Sequence, residues 1–333
     1  MRNARWALAA TILGSTMAFI DGTVVNVALP VLQSDLHATI NDAQWIVNAY
    51  LLVLSSFILV GGSLGDRFGL VRVFGAGVAV FTCASIWCGL APDVQQLMIA
   101  RAVQGVGAAL LVPGSLAIIT AVYPAKERGK AIGTWSALTA IGVIGGPLLG
   151  GALVQVISWR AVFFINVPIA IVVLWIILRH MPTIQGEAQG SLDWLGAFLV
   201  IASLGAITWS LIEAPAHRGP QLIIVALAGI ASLVAFIVVE SRAKQPLVPL
   251  FLFRSRAFSG ANALTLLLYA ALSGVMFLLP FELIQIRHYT PVEAGAAFLP
   301  VVATMSLLSP FSGTCPRFGA KRRVRSTGSA LFW

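Results

Sequence analysis

Charge is what this sequence has least of. Only 10% of its 333 residues are charged, against roughly 25% in a soluble domain, and an ordinary soluble globule is excluded. Cysteine is scarce as well. Cys83 and Cys88 lie in one apolar run and Cys315 in a basic tail, so neither a disulfide framework nor a metal cage is implied. The histidines, at 37, 180, 217 and 288, are scattered. No metal-ligand spacing, no nucleophile–base set and no G-x-x-x-x-G-K-[ST] phosphate loop occurs, which argues against an enzyme, a bound cofactor and ATP-driven transport. Strand-like alternation at the spacing of an outer-membrane barrel is missing too. What the chain does have is 59% hydrophobic residues, gathered into runs of about 20, the length that crosses a bilayer core as a helix. The composition predicts an all-α polytopic membrane protein.

The net charge of +9 does not point to nucleic acid, because lysine and arginine gather in alternate loops, as the positive-inside rule requires. With the N-terminus in the cytoplasm, all of the 21 basic residues except Arg101, Arg160, Arg218 and Arg287 fall in cytoplasmic segments. That pattern predicts a multi-pass protein of the cell (inner or plasma) membrane with the lipid bilayer as its surroundings. Residues 1–20 resemble a signal peptide, with Arg2 and Arg5 before an apolar run. The run continues past Asp21 without a small-residue cleavage site, so it reads as an uncleaved first helix.

The expected spans are Trp6–Pro30, Gln44–Leu64, Val73–Leu90, Gln96–Val122, Ala131–Ile157 and Val162–Leu178, then Trp194–Ile212 and Leu222–Val239, then Phe258–Ile284 and Glu293–Phe311. Pro124 is expected to stop the fourth span, and Trp159 and Arg160 to mark the outer interface. The polar stretch Arg179–Asp193 is the expected first boundary and Glu240–Arg256 the second. The layout is therefore 1–180 as one bundle, 181–240 as linker plus two spans, 241–312 as a partial bundle and 313–333 as a basic tail.

Four stretches carry polar chemistry. Gly61 to Arg72 is expected to be a short polar hinge, where Gly61, Gly62 and Gly65 let helices approach closely. Asp66 and Arg67 would pair there with a neighbouring helix end, and Gly69 would reverse the chain. Asp21 is a carboxylate inside an apolar helix, where an unpaired charge costs about 2.5–3.5 kcal/mol. Low dielectric disfavours the charged form of a carboxylate in general. Either Asp21 exchanges protons or it makes a structural helix–helix hydrogen bond. Arg101, Gln104, Gly105 and Ala108 share one helix face. At 1.5 Å per residue, Asp21 lies about 22 Å in from one membrane face and Arg101 about 8 Å in from the other, so in a core about 30 Å thick the two sit nearly level. Arg101 either pairs with Asp21 or snorkels to the interface. Gly142, Gly146 and Gly150, four apart, form a groove for close packing, and Pro147 bends the same helix. Glu213, Glu240 and Glu282, near helix ends, read as solvated interface carboxylates, although Glu282 after Pro280 is placed to face a cavity.

These stretches together carry a resemblance. Gly62, Leu64, Asp66, Arg67 and Gly69 fill the pattern G-x-L-x-D-R-x-G between the second and third helices of the major facilitator superfamily. Asp21, Thr23 and Val25 to Pro30, Asn26 included, match the first-helix motif of its fourteen-helix drug:proton antiporters, with Val24 in place of the usual isoleucine. Arg101 to Ala109 resembles R-x-x-Q-G-x-G-A-A of the fourth helix. Gly142, Gly146, Pro147, Gly150 and Gly151 match the antiporter motif G-x-x-x-G-P-x-x-G-G of the fifth. Asn166, within Phe163 to Pro168, also matches and is expected to bond across helices.

The resemblance implies the major facilitator fold, with a complete N-terminal six-helix bundle, two inserted helices and the first two helices of a C-terminal bundle. It implies a monomer, without cofactor, that exports small amphipathic or cationic multidrug-type or antibiotic substrates in exchange for protons by alternating access. Asp21, Asn26, Arg101 and Gln104 would serve proton coupling and substrate, with Gly62, Asp66, Arg67 and Gly69 as a conformational gate. Arg317-Phe318-Gly319 echoes Arg67-Phe68-Gly69, with Pro316 where Asp66 would be, and no apolar span follows Arg325. The expectation is therefore a truncated chain with compromised transport. An importer or metabolite exporter of the same superfamily, or a non-transporting membrane remnant, are the competing readings.

Overall fold

The structure, a computed structural model, describes residues 2–182, 184, 193–214, 219–243, 250–300 and 304. Regular structure within the described residues is entirely helical. The helices are α1 (Arg2–Asp35), α2 (Ile40–Phe68), α3 (Leu70–Leu90), α4 (Val94–Val122), α5 (Ala125–Val156), α6 (Ala161–Phe164), α7 (Asn166–His180), α8 (Trp194–Glu213), α9 (Pro220–Arg242), α10 (Arg256–Phe281) and α11 (Pro291–Ala296). A 3-10 turn (Leu250–Arg254) precedes α10, and a π-helical stretch (Glu282–Ile286) follows it. Nine stretches of the described residues are long and apolar enough to cross a membrane, with α6 and α7 together forming the sixth and α10 running into the π stretch as the ninth. Most of the expected tenth span, and the tail 313–333, lie outside the described residues.

Several boundaries differ from the sequence reading, each for a local reason. Residues 61–68 are not a loop, because α2 continues through Asp66 and Arg67 to Phe68. Gly69 alone, at φ 99°, separates α2 from α3, a left-handed conformation that glycine takes without a Cβ penalty. Pro124 does stop α4, but it also stands at the N-cap of α5, and residues 125–130 are helical rather than loop. The sixth span is broken at Ile165. Pro168 accounts for the break, since its ring lacks an N–H and crowds the carbonyl four residues back, at Phe164.

α4 is the central slat of the first bundle, packed on α2 and α3 over most of its length. Small residues make this possible. A Cβ on Gly61 would run into the Ala109 carbonyl of α4, and one on Gly77 would lie 2.8 Å from the Leu111 nitrogen and 2.9 Å from the Gly107 carbonyl. The Ala109 carbonyl is the one that Pro113 leaves without its helical N–H, so α2 approaches the point where α4 has a spare acceptor. At the end of the bundle away from residue 2, Trp159 Nε1 donates to Asp35 Oδ2 at 2.7 Å. Arg160 Nη1 donates to the Gly89 and Ala91 carbonyls at 3.3 and 2.7 Å, satisfying the terminal acceptors of α3 as cations do at helix C-termini.

α8 and α9 form a hairpin that packs on the bundle through α2. Glu213 is a docking residue here, contrary to its reading as a solvated carboxylate. Its Oε1 accepts from Asn41 Nδ2 and Trp45 Nε1, both at 3.1 Å, across the first turn of α2. Hydrogen bonds to a charged group contribute about 1.5–3 kcal/mol. Glu213→Ala is expected to lower the stability of the detergent-solubilised chain by about 1–2 kcal/mol, read by thermal unfolding, while Asn41→Ala alone costs less. Glu282, the carboxylate placed to face a cavity, forms an exposed ion pair with Arg287 at 3.1 Å instead.

Candidate functional site

Inside the first bundle α1, α2, α3, α4 and α7 bring polar side chains to one point. Asp21 of α1 is 0% exposed and Arg101 of α4 is 1% exposed. The two form a direct ion pair, Arg101 Nη1 on Asp21 Oδ2, so Arg101 does not snorkel. The level match worked out from helix rise has a physical basis, since the two helices run antiparallel and meet at one depth.

Donors surround the carboxylate. Gln104 Nε2 donates to Asp21 Oδ1 at 2.8 Å, and Asn166 Nδ2 donates to the same oxygen at 3.2 Å. Arg101 Nη1 also donates to Gln104 Oε1 at 2.7 Å, and Arg101 Nε to the Ile46 carbonyl of α2 at 3.2 Å. The guanidinium carbon lies 4.3 Å from the centre of the Tyr50 ring, a cation–π distance. Ser85 of α3 ties the far side together. Its Oγ accepts from Gln104 Nε2 at 3.3 Å and Asn166 Nδ2 at 2.8 Å, and donates to the Phe163 carbonyl at 2.9 Å. Burying two charges costs several kcal/mol per ion, which attraction offsets only with good geometry and further hydrogen bonds. Those conditions are met here.

Of the residues assigned from sequence, Asp21, Arg101 and Gln104 meet in this cluster and Asn26 does not. Asn26 Nδ2 donates to the Gly22 carbonyl of its own helix at 3.1 Å. Ser85 and Tyr50 escaped the sequence reading. A lone serine in the long apolar run of α3 was the available signal, because polar groups inside a membrane span seek partners.

The glycines of α5 serve two contacts. A Cβ on Gly142, Gly146 or Gly150 would meet Thr16, Thr23 or Val24 of α1, and one on Gly151 would meet the Pro291 carbonyl at the start of α11. In return, a Cβ on Gly295 of α11 would meet the Pro147 carbonyl. Pro147 stands inside a continuous α5. The Val143 carbonyl that it leaves unpaired accepts a long 3.5 Å bond from Thr23 Oγ1. The same end of the molecule is joined by Gln285 Nε2 to Gln33 Oε1 at 2.8 Å and by Val292 N to Gln155 Oε1 at 3.4 Å.

α11 opens with a capping box in which the Thr290 N–H and hydroxyl donate to Glu293 Oε2 at 2.8 and 2.9 Å. These bonds hold the Glu293 carboxyl below its usual range. A group with a lowered folded-state pKa contributes stability above its ordinary pKa and loses it as pH falls through the lowered value. The hydrogen-exchange protection at the start of α11, taken relative to the intrinsic rate at each pH, should therefore fall on acidification below the ordinary carboxylate range, and Glu293→Gln should flatten that dependence.

The residues assigned from sequence to a gate lie at the other end. Asp66 and Arg67 are exposed on the last turn of α2, with the Arg67 guanidinium 5.6 Å from the Phe68 ring centre. Gly62 has only Pro113 near its open side, at 3.9 Å.

Similarity to known proteins agrees with this architecture. The chain is 36% identical over 324 residues to the tetracenomycin C resistance and export protein of Streptomyces glaucescens, covering 96% of this chain and 60% of that protein. It is 36% identical over 318 residues to the multidrug resistance protein Stp of Mycobacterium tuberculosis, covering 94% and 59%. The chain thus spans about 60% of the length of these curated relatives. A crystal structure of the peptide transporter POT in complex with sulfate superposes with a TM-score of 0.68 at 15% identity, over 96% of this chain and 69% of that one, a likeness of fold. Residues 11–332 match the family description Major Facilitator Superfamily, and with its membrane-length helices the chain belongs to that superfamily as a multi-pass membrane protein related to drug and antibiotic resistance transporters.

Proposed function

We propose that this chain takes part in proton-coupled export of small amphipathic or cationic, drug-like or antibiotic molecules across the cell membrane, as a monomer working by alternating access with its N-terminus in the cytoplasm. The observation that carries the reading is the buried Asp21–Arg101 pair joining α1 to α4. A proton on Asp21 removes one charge of that pair and leaves the other buried, so proton binding changes the preferred arrangement of the helices around it. The resistance and export functions named for the relatives at 36% identity support the direction and the substrate class.

Set in a membrane in this orientation, the contacts of α5 with α11 and of Gln33 with Gln285 lie on the outer side. The described conformation is then the one closed to the outside. The turn at Gly69, with Gly62, Asp66 and Arg67, acts on the cytoplasmic side as the gate. Residues 1–180 act as one bundle, 181–240 as linker and inserted hairpin, and 241–312 as the beginning of the second bundle.

Everted membrane vesicles holding the full chain provide the test. An acidic lumen is expected to drive accumulation of a cationic fluorescent dye, and Asp21→Asn to abolish the dependence on the gradient. Dye movement only with the opposite gradient would make the protein an importer, and no movement in either direction would overturn transport by this chain.

A further inference from the structure

Asn166 holds a buried acceptor that no described residue fills. The residue is 0% exposed, and its Nδ2 donates to both Asp21 Oδ1 and Ser85 Oγ. Its Oδ1 is buried without a hydrogen-bond partner among the described residues. Buried polar atoms in folded proteins are nearly always paired, and an exception calls for an explanation. The amide orientation follows from the network, because an ionised carboxylate only accepts and the NH₂ group must face it.

The groups facing the Asp21 carboxyl are arranged as donors. Arg101, Gln104 and Asn166 all donate to it. A protonated Asp21 carries an O–H that needs an acceptor. Gln104 Oε1 already receives Arg101 Nη1 at 2.7 Å and Cys88 Sγ at 3.6 Å. Ser85 Oγ already accepts twice and commits its own hydrogen to the Phe163 carbonyl. The charged and titratable groups around the carboxyl are Arg101 from α4, Tyr50 from α2 and Cys88 from α3. Tyr50 Oη donates to the Ala18 carbonyl at 3.2 Å.

We propose that Asn166 reads the protonation state of Asp21. When a proton binds Asp21 Oδ1, the Asn166 amide turns over, Oδ1 accepts the new O–H, and Nδ2 leaves both the carboxyl and Ser85. No other bond is made or broken, and the proton stays on Asp21. Asn166 is the first residue of α7, next to the break at Ile165, so the turn releases the link between α3 and α7 where that span is already interrupted. Asn166 is thus a positioning residue that passes a change on α1 to α3 and α7. The inference rests on the reading of Asp21 as a group that exchanges protons.

Acid-minus-neutral infrared difference spectra of the full chain in lipid, with ¹³C-labelled asparagine, test this. The wild type is expected to show a carboxylic C=O band that disappears in Asp21→Asn, together with a labelled asparagine C=O band that moves to lower frequency as Oδ1 gains its hydrogen bond. Asn166→Leu should abolish the asparagine shift and move the carboxylic band to higher frequency, towards that of a free acid. Asn166→Thr serves if the leucine variant does not fold, and loss of the shift in either variant assigns it to Asn166 among the labelled asparagines. A carboxylic band with no accompanying asparagine shift would overturn the role of Asn166 while keeping proton uptake by Asp21. The absence of any Asp21-dependent carboxylic band across the folded pH range would overturn both.

Discussion

Arg101→Ala is expected to destabilise the folded chain by about 3–5 kcal/mol, the cost of leaving one member of a buried ion pair without its partner. The orphan is Asp21, which is fully buried and would keep only neutral donors from Gln104 and Asn166. Arg101→Lys should recover part of the loss, since an ammonium can face Asp21 but cannot also reach the Ile46 carbonyl, Gln104 Oε1 and the Tyr50 ring in the planar arrangement of a guanidinium. Replacing both charges, as in Arg101→Met with Asp21→Asn, should restore more stability than either change retains alone, because no uncompensated charge then remains. Thermal unfolding in detergent, with the double variant completing the cycle, checks each of these. Dye transport should be lost in all of them.

Gly151→Leu is expected to hold the molecule open at the end where α5 meets α11. The new Cβ would fall on the Pro291 carbonyl, 2.8 Å from its carbon and 2.9 Å from the Val292 Cα, and backbone cannot swing aside as a flexible side-chain tip can. Overpacking of this kind costs about 1–3 kcal/mol, so the closed state should lose roughly one to two orders of magnitude in population. The measurement is the rate at which a membrane-impermeant thiol reagent modifies Ala294→Cys on α11, a position 0% exposed in the closed arrangement, in a chain whose native cysteines are replaced by serine. That rate should rise in the Gly151→Leu background, while Gly133→Leu, with open space in front of its Cβ, should leave it unchanged.

Long apolar runs and their breakers made the helices legible in the sequence, and the ends moved only where local chemistry outweighed pattern. Asp66 and Arg67 looked like loop because they are charged, yet a helix end exposed to water accommodates charge well. Only Gly69 has the backbone conformation of a turn. The break at Ile165 was hidden because Pro168 sits in the first turn of α7, a place where proline is otherwise tolerated. The Asp21–Arg101 contact could be inferred because two charges in apolar helices at one depth have few other partners. Ser85, Tyr50 and the bond of Asn166 to Asp21 could not be located, since they depend on the rotation of α2, α3 and α7 about their axes, which packing sets. Asn26 shows the reverse case, in which a residue matching a motif turns to its own backbone. The glycines of α5 were readable as a groove, but their division between α1 and α11 was not, because it depends on where a distant part of the chain returns.

The central claim is that Asp21 carries the exchanged proton. Its most direct test is the pH change of a weakly buffered solution of the purified full chain when a cationic dye such as ethidium is added. Dye binding should release protons from the wild type and none from Asp21→Asn, although both bind the dye. Equal release from the two proteins would contradict the account.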